Sequence, residues 1–190
     1  LEFAHSNGVI HRDIKPDNIM LEGSSAVVAD FGIAKAISAS RAAGERKITD
    51  TPTLTQVGSS VGTPAYMAPE QAAGQATDHR ADLYAWGVVA YEILAGKHPF
   101  ADKETAQEML VAHLSEQPEP LSDLQPERPT GLTRLVMKCL EKSPDARPRD
   151  ATEVLATLEA VTSGDRQDLA RPASWRYRIR SWTRGPRAVS

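Results

Sequence analysis

The sequence predicts an α+β chain in which a mainly helical lobe carries a small strand region at its front. Three observations lead there. From Asp82 onward four stretches repeat apolar residues at helical spacing. Before residue 30, short apolar runs flank a charged loop and a Gly-Ser turn. Between them, residues 36–63 are rich in Ser, Thr, Gly and Ala and poor in large apolar side chains. With 190 residues, 41% hydrophobic and 25% charged, the chain can bury one real core.

In chain order, residues 1–8 read as the end of a helix, with Leu1, Ala4 and His5 at helical spacing and Asn7-Gly8 as its stop. Val9-Ile10 and Ile19-Met20-Leu21 lie on either side of the charged loop. A turn at 23–25 then leads into the strand-like Ala26-Val27-Val28-Ala29. Residues 36–63 predict a long loop, of the kind that is functional or disordered in a compact domain. Leu83, Trp86, Val88, Val89, Tyr91, Ile93 and Leu94 are apolar nearly all round, which predicts a buried central helix from Asp82 to its stop at Gly96. Further helices are expected over about 103–115, 131–141 and 150–161, with Pro-rich loops between them. After Gly164 the basic tail has no periodic apolar face.

The net charge of −3 does not call for nucleic acid or an acidic membrane, but it is a cancellation. Residues 171–190 carry six Arg and no acid, while residues 1–170 hold 16 basic against 25 acidic groups, a net of −9. The single cysteine, Cys139, excludes an intramolecular disulfide framework; among Val136, Met137 and Leu140 it reads as a small buried hydrophobe. His79, His98 and His113 have no partners at ligand spacing, so no metal role is expected of them. No apolar run has the length of a membrane helix, and no signal pattern opens the chain. It starts on Leu1 rather than Met, and a piece of a longer protein is the expectation.

The chemistry concentrates in His11-Arg12-Asp13-Ile14-Lys15-Pro16-Asp17-Asn18, followed twelve residues later by Asp30-Phe31-Gly32. Taken singly, these Asp and Asn residues suit turns. Together, an Asp, an Asn five residues on and a second Asp across a short hairpin can bring three oxygen-bearing side chains to one place. Such oxygens suit Mg²⁺ that shares its shell with phosphates. Lys15 adds a positive charge on the same side, fit for a transferring phosphoryl group.

This string resembles the catalytic loop and Mg²⁺-binding motif of the eukaryotic-type (Hanks-type) serine/threonine protein kinases. Gly62-Thr63-Pro64-Ala65-Tyr66-Met67-Ala68-Pro69-Glu70 resembles their substrate-pocket and Ala-Pro-Glu segment, Asp82 to Gly87 the start of their central helix, and Pro144-Asp145-Ala146-Arg147-Pro148 their late Arg motif. The Ala- and Pro-rich composition is similar to bacterial members.

The resemblance implies a protein kinase-like fold over residues 1–161, the C-terminal lobe alone, with residues 162–190 as a tail. It implies transfer of the γ-phosphate of ATP to Ser/Thr hydroxyls of protein substrates. Asp13 would accept the substrate proton, Lys15 would contact the γ-phosphate, Asn18 and Asp30 would hold Mg²⁺, and Thr63 would bridge Asp13 and Lys15. Met20 would lie under the adenine. His11 would stack on Phe31 of the Asp30-Phe31-Gly32 motif without proton chemistry. Asp82 would bond the His11-Arg12 backbone, and Glu70 and Arg147 would form a buried ion pair. Arg12 before Asp13 implies control by phosphorylation in the loop, with Thr53 and Thr55 favoured.

The Gly-rich phosphate loop, strand Lys and helix Glu of a whole kinase domain do not occur in these 190 residues. Two readings remain. In one, the chain is the C-terminal part of a kinase in which roughly 100 residues upstream carry the Gly-rich loop and strand Lys, so that the chain alone is inactive. In the other, it is a noncatalytic binding or docking module. A cytoplasmic location is expected under the first. The Arg-rich tail with Trp175, Tyr177 and Trp182 reads as a disordered extension, a cytoplasmic flank facing anionic lipid, or, last, a nucleic-acid contact; no nucleic-acid partner is expected.

Overall fold

The structure, a computed structural model, describes residues 1–23, 25–31 and 64–164. A short helix, α1 (Glu2–Ser6), leads into the charged loop, which closes with a 3-10 turn at Pro16–Asn18. Strands β1 (Ile19–Glu22) and β2 (Ser25–Val28) pair antiparallel, with Ile19 opposite Val28 and Glu22 opposite Ser25. After a second 3-10 turn at Pro64–Tyr66 the chain is helical: α2 (Pro69–Ala72), α3 (Arg80–Ala95), α4 (Ala106–Ser115), α5 (Leu121–Leu124), α6 (Thr130–Cys139) and α7 (Ala151–Gly164).

Helix α3 is the axis of the lobe because three of its faces are buried at once. Tyr84, Val88 and Tyr91 pack with Leu121, Val136 and Leu140, joining α3 to α5 and α6. Leu83 meets Leu135, Cys139, Ala151 and Val154, joining it to α6 and α7. Ala85 and Val89 meet Ile14 of the charged loop, with Ile19, Val28 and Tyr66 against the same cluster. Gly87 permits this closeness: a Cβ there would stand 2.8 Å from Cβ of Cys139. Burial in the same contact pushes the Cys139 thiol up to about 12, so it is an inert packing group.

Local chemistry sets the helix ends. Gly96 stops α3 in the left-handed region at φ 74°, its N–H donating to the Glu92 carbonyl at 2.8 Å. Helix α4 begins later than the expected residue 103 because Thr105 caps it. Its hydroxyl accepts the Glu108 N–H at 3.1 Å, and Glu108 accepts the Thr105 N–H at 3.1 Å. Helices α2 and α5 have four residues each, too few for a periodic pattern to predict.

His113 of α4 lies wholly inside this core, its Nδ1 2.8 Å from the Tyr84 hydroxyl. Burial, aided by repulsion from His98, pushes its pKa from 6.5 down to about 3. The unfolded chain therefore binds a proton that the folded chain refuses between those values, and stability falls as pH drops through that window. From pH 7 to pH 4 the expected loss from this residue is about 3 kcal/mol. Urea unfolding at both pH values should show a steeper loss for the unsubstituted chain than for His113→Gln; equal losses would refute it.

Candidate active site

The hairpin register brings the site together. Because Ile19 pairs with Val28, Asn18 stands opposite Ala29, whose N–H donates to the Asn18 carbonyl at 2.8 Å, and Asp30 follows one residue beyond. The Asn18 side-chain NH₂ donates to the Asp13 carbonyl at 2.8 Å and approaches its carboxylate at 3.4 Å. That bond orients the amide, so that Oδ1 is the atom Asn18 can offer a cation. Lys15 Nζ lies 3.2 Å from the Asp13 carboxylate, with both side chains about a quarter exposed. Asp13, Lys15 and Asn18 thus converge on one loop, and Asp30 is delivered beside them by strand pairing.

Asp82, at the start of α3 and buried, holds the loop. Its Oδ2 accepts the His11 N–H at 2.7 Å and its Oδ1 accepts the Arg12 N–H at 2.7 Å. His5 of α1 places Nε2 2.9 Å from the same carboxylate. Three groups thus converge on one buried Asp, and charge-assisted bonds of this kind are among the stronger ones in proteins.

His11 is fully buried and its polar atoms are committed. Nε2 donates to the Ala29 carbonyl at 2.9 Å, which leaves Nδ1 to accept the Asp13 N–H at 3.2 Å. The ring lies 4.7 Å from that of Phe31. A ring with both nitrogens engaged by backbone orients its neighbours rather than moving protons.

Among the described residues, Arg12 and Asp30 are the two non-glycine residues with positive φ, at 64° and 56°. Both flank the acidic cluster, and such conformations persist where the surroundings over-determine them. The Arg12 carbonyl accepts Gln71 Nε2 at 3.2 Å, while Arg12 Nε is buried with no hydrogen-bond partner among the described residues. Met20 on β1 is half exposed.

Glu70, at the start of α2, meets Arg147 through two bonds of 2.7 Å. The guanidinium also donates to the carbonyls of Glu141 at 2.8 Å, Lys142 at 2.9 Å and Arg80 at 3.1 Å, and its side chain has no exposed surface. Its five N–H donors thus meet five acceptors. Thr63, Gly32, Thr53 and Thr55 lie outside the described residues.

Sequence reasoning passed over His5, Gln71 and Tyr66, whose hydroxyl donates to Glu92 at 2.8 Å. Their partners lie 26 to 77 residues away, which no local pattern reveals. The helical spacing of His5 with Leu1 and Ala4 is the signal in the sequence that points to it.

The described residues thus form a helical body built round one buried helix, with the acidic loop docked on that helix. The sequence matches the protein kinase domain family over residues 1–158, and the chain belongs to that family. It is 41% identical over 165 residues to the serine/threonine-protein kinase PknB of Mycobacterium leprae, covering 86% of this chain and 25% of that protein. It is 41% identical over 168 residues to the serine/threonine-protein kinase pkn3 of Myxococcus xanthus, covering 85% and 29%. A probable serine/threonine-protein kinase of Clostridium acetobutylicum is 38% identical over 162 residues, covering 85% and 23%. The chain therefore spans about a quarter of the length of these relatives.

Proposed function

We propose that this chain is the catalytic and substrate-binding lobe of a bacterial serine/threonine protein kinase, residues 1–161 forming the lobe and 162–190 a basic extension. The observation that carries the reading is the convergence of Asp13, Lys15 and Asn18 on one loop, with Asp30 set beside them by the hairpin register. Asp13 accepts the hydroxyl proton of a substrate Ser or Thr and orients the oxygen for attack. Lys15, 3.2 Å from Asp13, supplies positive charge beside that oxygen, where the phosphoryl group arrives. The bridging role that the family resemblance implies for Thr63 belongs to the same proposal.

The oxygen donors of Asn18 and Asp30 fit Mg²⁺, which prefers one or two protein oxygens together with phosphates and water. Mg·ATP, when bound, supplies the γ-phosphoryl group and neutralises its charge. Met20, half exposed beside the site, offers an apolar surface to the adenine.

Arg12 is suited to a regulatory role. Its buried Nε has no partner among the described residues, and a phosphate on Thr53 or Thr55 would offer strong acceptors to that guanidinium. No helix among the described residues is long and apolar enough to cross a membrane. The reading assigns the lobe to the cytoplasm.

The Gly-rich loop and strand Lys that close over ATP are absent from these 190 residues, which governs the test. The 190-residue chain should show negligible phosphotransfer, since the groups that align ATP are missing. Joined behind a segment bearing the Gly-rich loop and strand Lys, it should label a Ser/Thr protein in a Mg²⁺-dependent manner. A folded, ATP-binding form of that polypeptide with no labelling of any protein, itself included, would refute the reading and leave a noncatalytic docking module.

A further inference from the structure

We propose that His98 and His113 act together as positioning residues for the polypeptide substrate, gripping the Ala65 carbonyl from two sides so that residues 64–66 keep a set distance from Asp13; this rests on the kinase reading above. His98, in the loop after α3, has Nε2 2.7 Å from the Ala65 oxygen, and His113, on α4, has Nε2 2.9 Å from it. A carbonyl only accepts, so both Nε2 atoms carry the proton. The remaining nitrogens agree with that assignment: His98 Nδ1 accepts the Phe100 N–H at 3.1 Å, and His113 Nδ1 accepts the Tyr84 hydroxyl at 2.8 Å. Both rings are therefore neutral and in a single tautomer. Among the described residues Ala65 is the one carbonyl that takes two histidine side chains.

The grip has a counterpart one residue on. Tyr66 packs in the cluster of Ile14, Ala85 and Val89, and Ile14 is the neighbour of Asp13 in the chain. The turn at Pro64–Tyr66 is thus pinned to the catalytic loop through Tyr66 and to the loop after α3 and to α4 through Ala65. On the kinase reading, a polypeptide that presents a hydroxyl to Asp13 runs beside this turn, which belongs to the segment resembling the family's substrate pocket. Its fit depends on where the turn stands. Two histidines fix the direction of this carbonyl, at the expense of keeping His113 neutral and fully buried. Burial lowers the pKa of both rings, consistent with permanent donors.

The test uses this chain joined behind a Gly-rich loop and strand Lys, with kinetics against a Ser/Thr peptide and against ATP. His98→Phe and His113→Phe should each raise the peptide KM about fivefold to tenfold, while the KM for ATP stays within about twofold. His113→Gln, which keeps an N–H near the Nε2 position, should recover most of the loss. The double Phe variant should fall short of the product of the single effects, because both donors serve one acceptor. An unchanged peptide KM, equal rises for peptide and ATP, or His113→Gln as impaired as His113→Phe would overturn the inference while the kinase reading stands. Should His113→Phe fail to fold, Tyr84→Phe removes the partner of His113 Nδ1 that holds the ring in place and should raise the peptide KM in the same direction; no change would count against the inference. If the unsubstituted protein transfers no phosphate, the kinase reading fails and the proposed role in substrate positioning fails with it. Nitrogen-15 NMR of the histidines in the 190-residue chain tests the grip without any activity: Nε2–H tautomers in both rings are expected, and Nδ1–H in either would overturn it.

Discussion

Asp13→Asn is expected to lower phosphotransfer by about 100- to 10,000-fold in the polypeptide that also carries the nucleotide-binding segment, with ATP affinity little changed. The amide keeps the shape of the carboxylate and leaves the backbone carbonyl that Asn18 bonds at 2.8 Å. What it loses is the ability to take a proton and the attraction to Lys15 at 3.2 Å. That ion pair is partly exposed and worth at most about 1 kcal/mol, so thermal stability should hardly move. Single-turnover labelling of a Ser/Thr peptide separates the effects. A variant within tenfold of the parent would remove Asp13 from the proposed chemistry, and a large fall in melting temperature would reassign it to structure.

Arg147→Ala should be the most destabilising single change outside the apolar core, by about 3–5 kcal/mol in denaturant unfolding. The substitution strands the Glu70 carboxylate and three backbone carbonyls, from Glu141, Lys142 and Arg80, all inside the protein. Glu70→Gln should cost less, because Arg147 keeps its three carbonyl partners and a neutral acceptor remains. Lys at 147 should rescue little, since a single ammonium cannot reproduce the planar fork that meets both Glu70 oxygens at 2.7 Å. Equal effects of Arg147→Ala and Glu70→Gln would show that the carbonyl contacts contribute nothing.

The helical lobe is legible in the sequence wherever a side chain's fate depends on its own helix. Leu83, Val88 and Tyr91 fall on buried faces, and the expected helix from Asp82 to Gly96 matches α3 to within two residues at its start. The acidic loop is legible because five residues separate Asp13 from Asn18 and the hairpin between Asn18 and Asp30 is short. His98 and His113 were unreadable for a specific reason. Their common partner is a main-chain oxygen, and every residue has one, so no pattern of side chains announces it. The four-residue helices α2 and α5 escape for want of a full period. The Asp82 bonds follow from the family resemblance alone, since nothing in the residues near position 82 points to a loop 70 positions earlier.

Asp82 also imposes an order in time. The His11 and Arg12 amides wait for an acceptor that lies 71 and 70 residues further along the chain, and His5 for one 77 residues away. At about 5–20 residues per second of synthesis, His11 precedes its anchor by roughly 4–14 s, and α3 must then clear the ribosome and dock. Throughout that interval the loop has its motif but lacks its shape. A nascent chain ending before α3 therefore lacks the acceptor that holds the acidic loop.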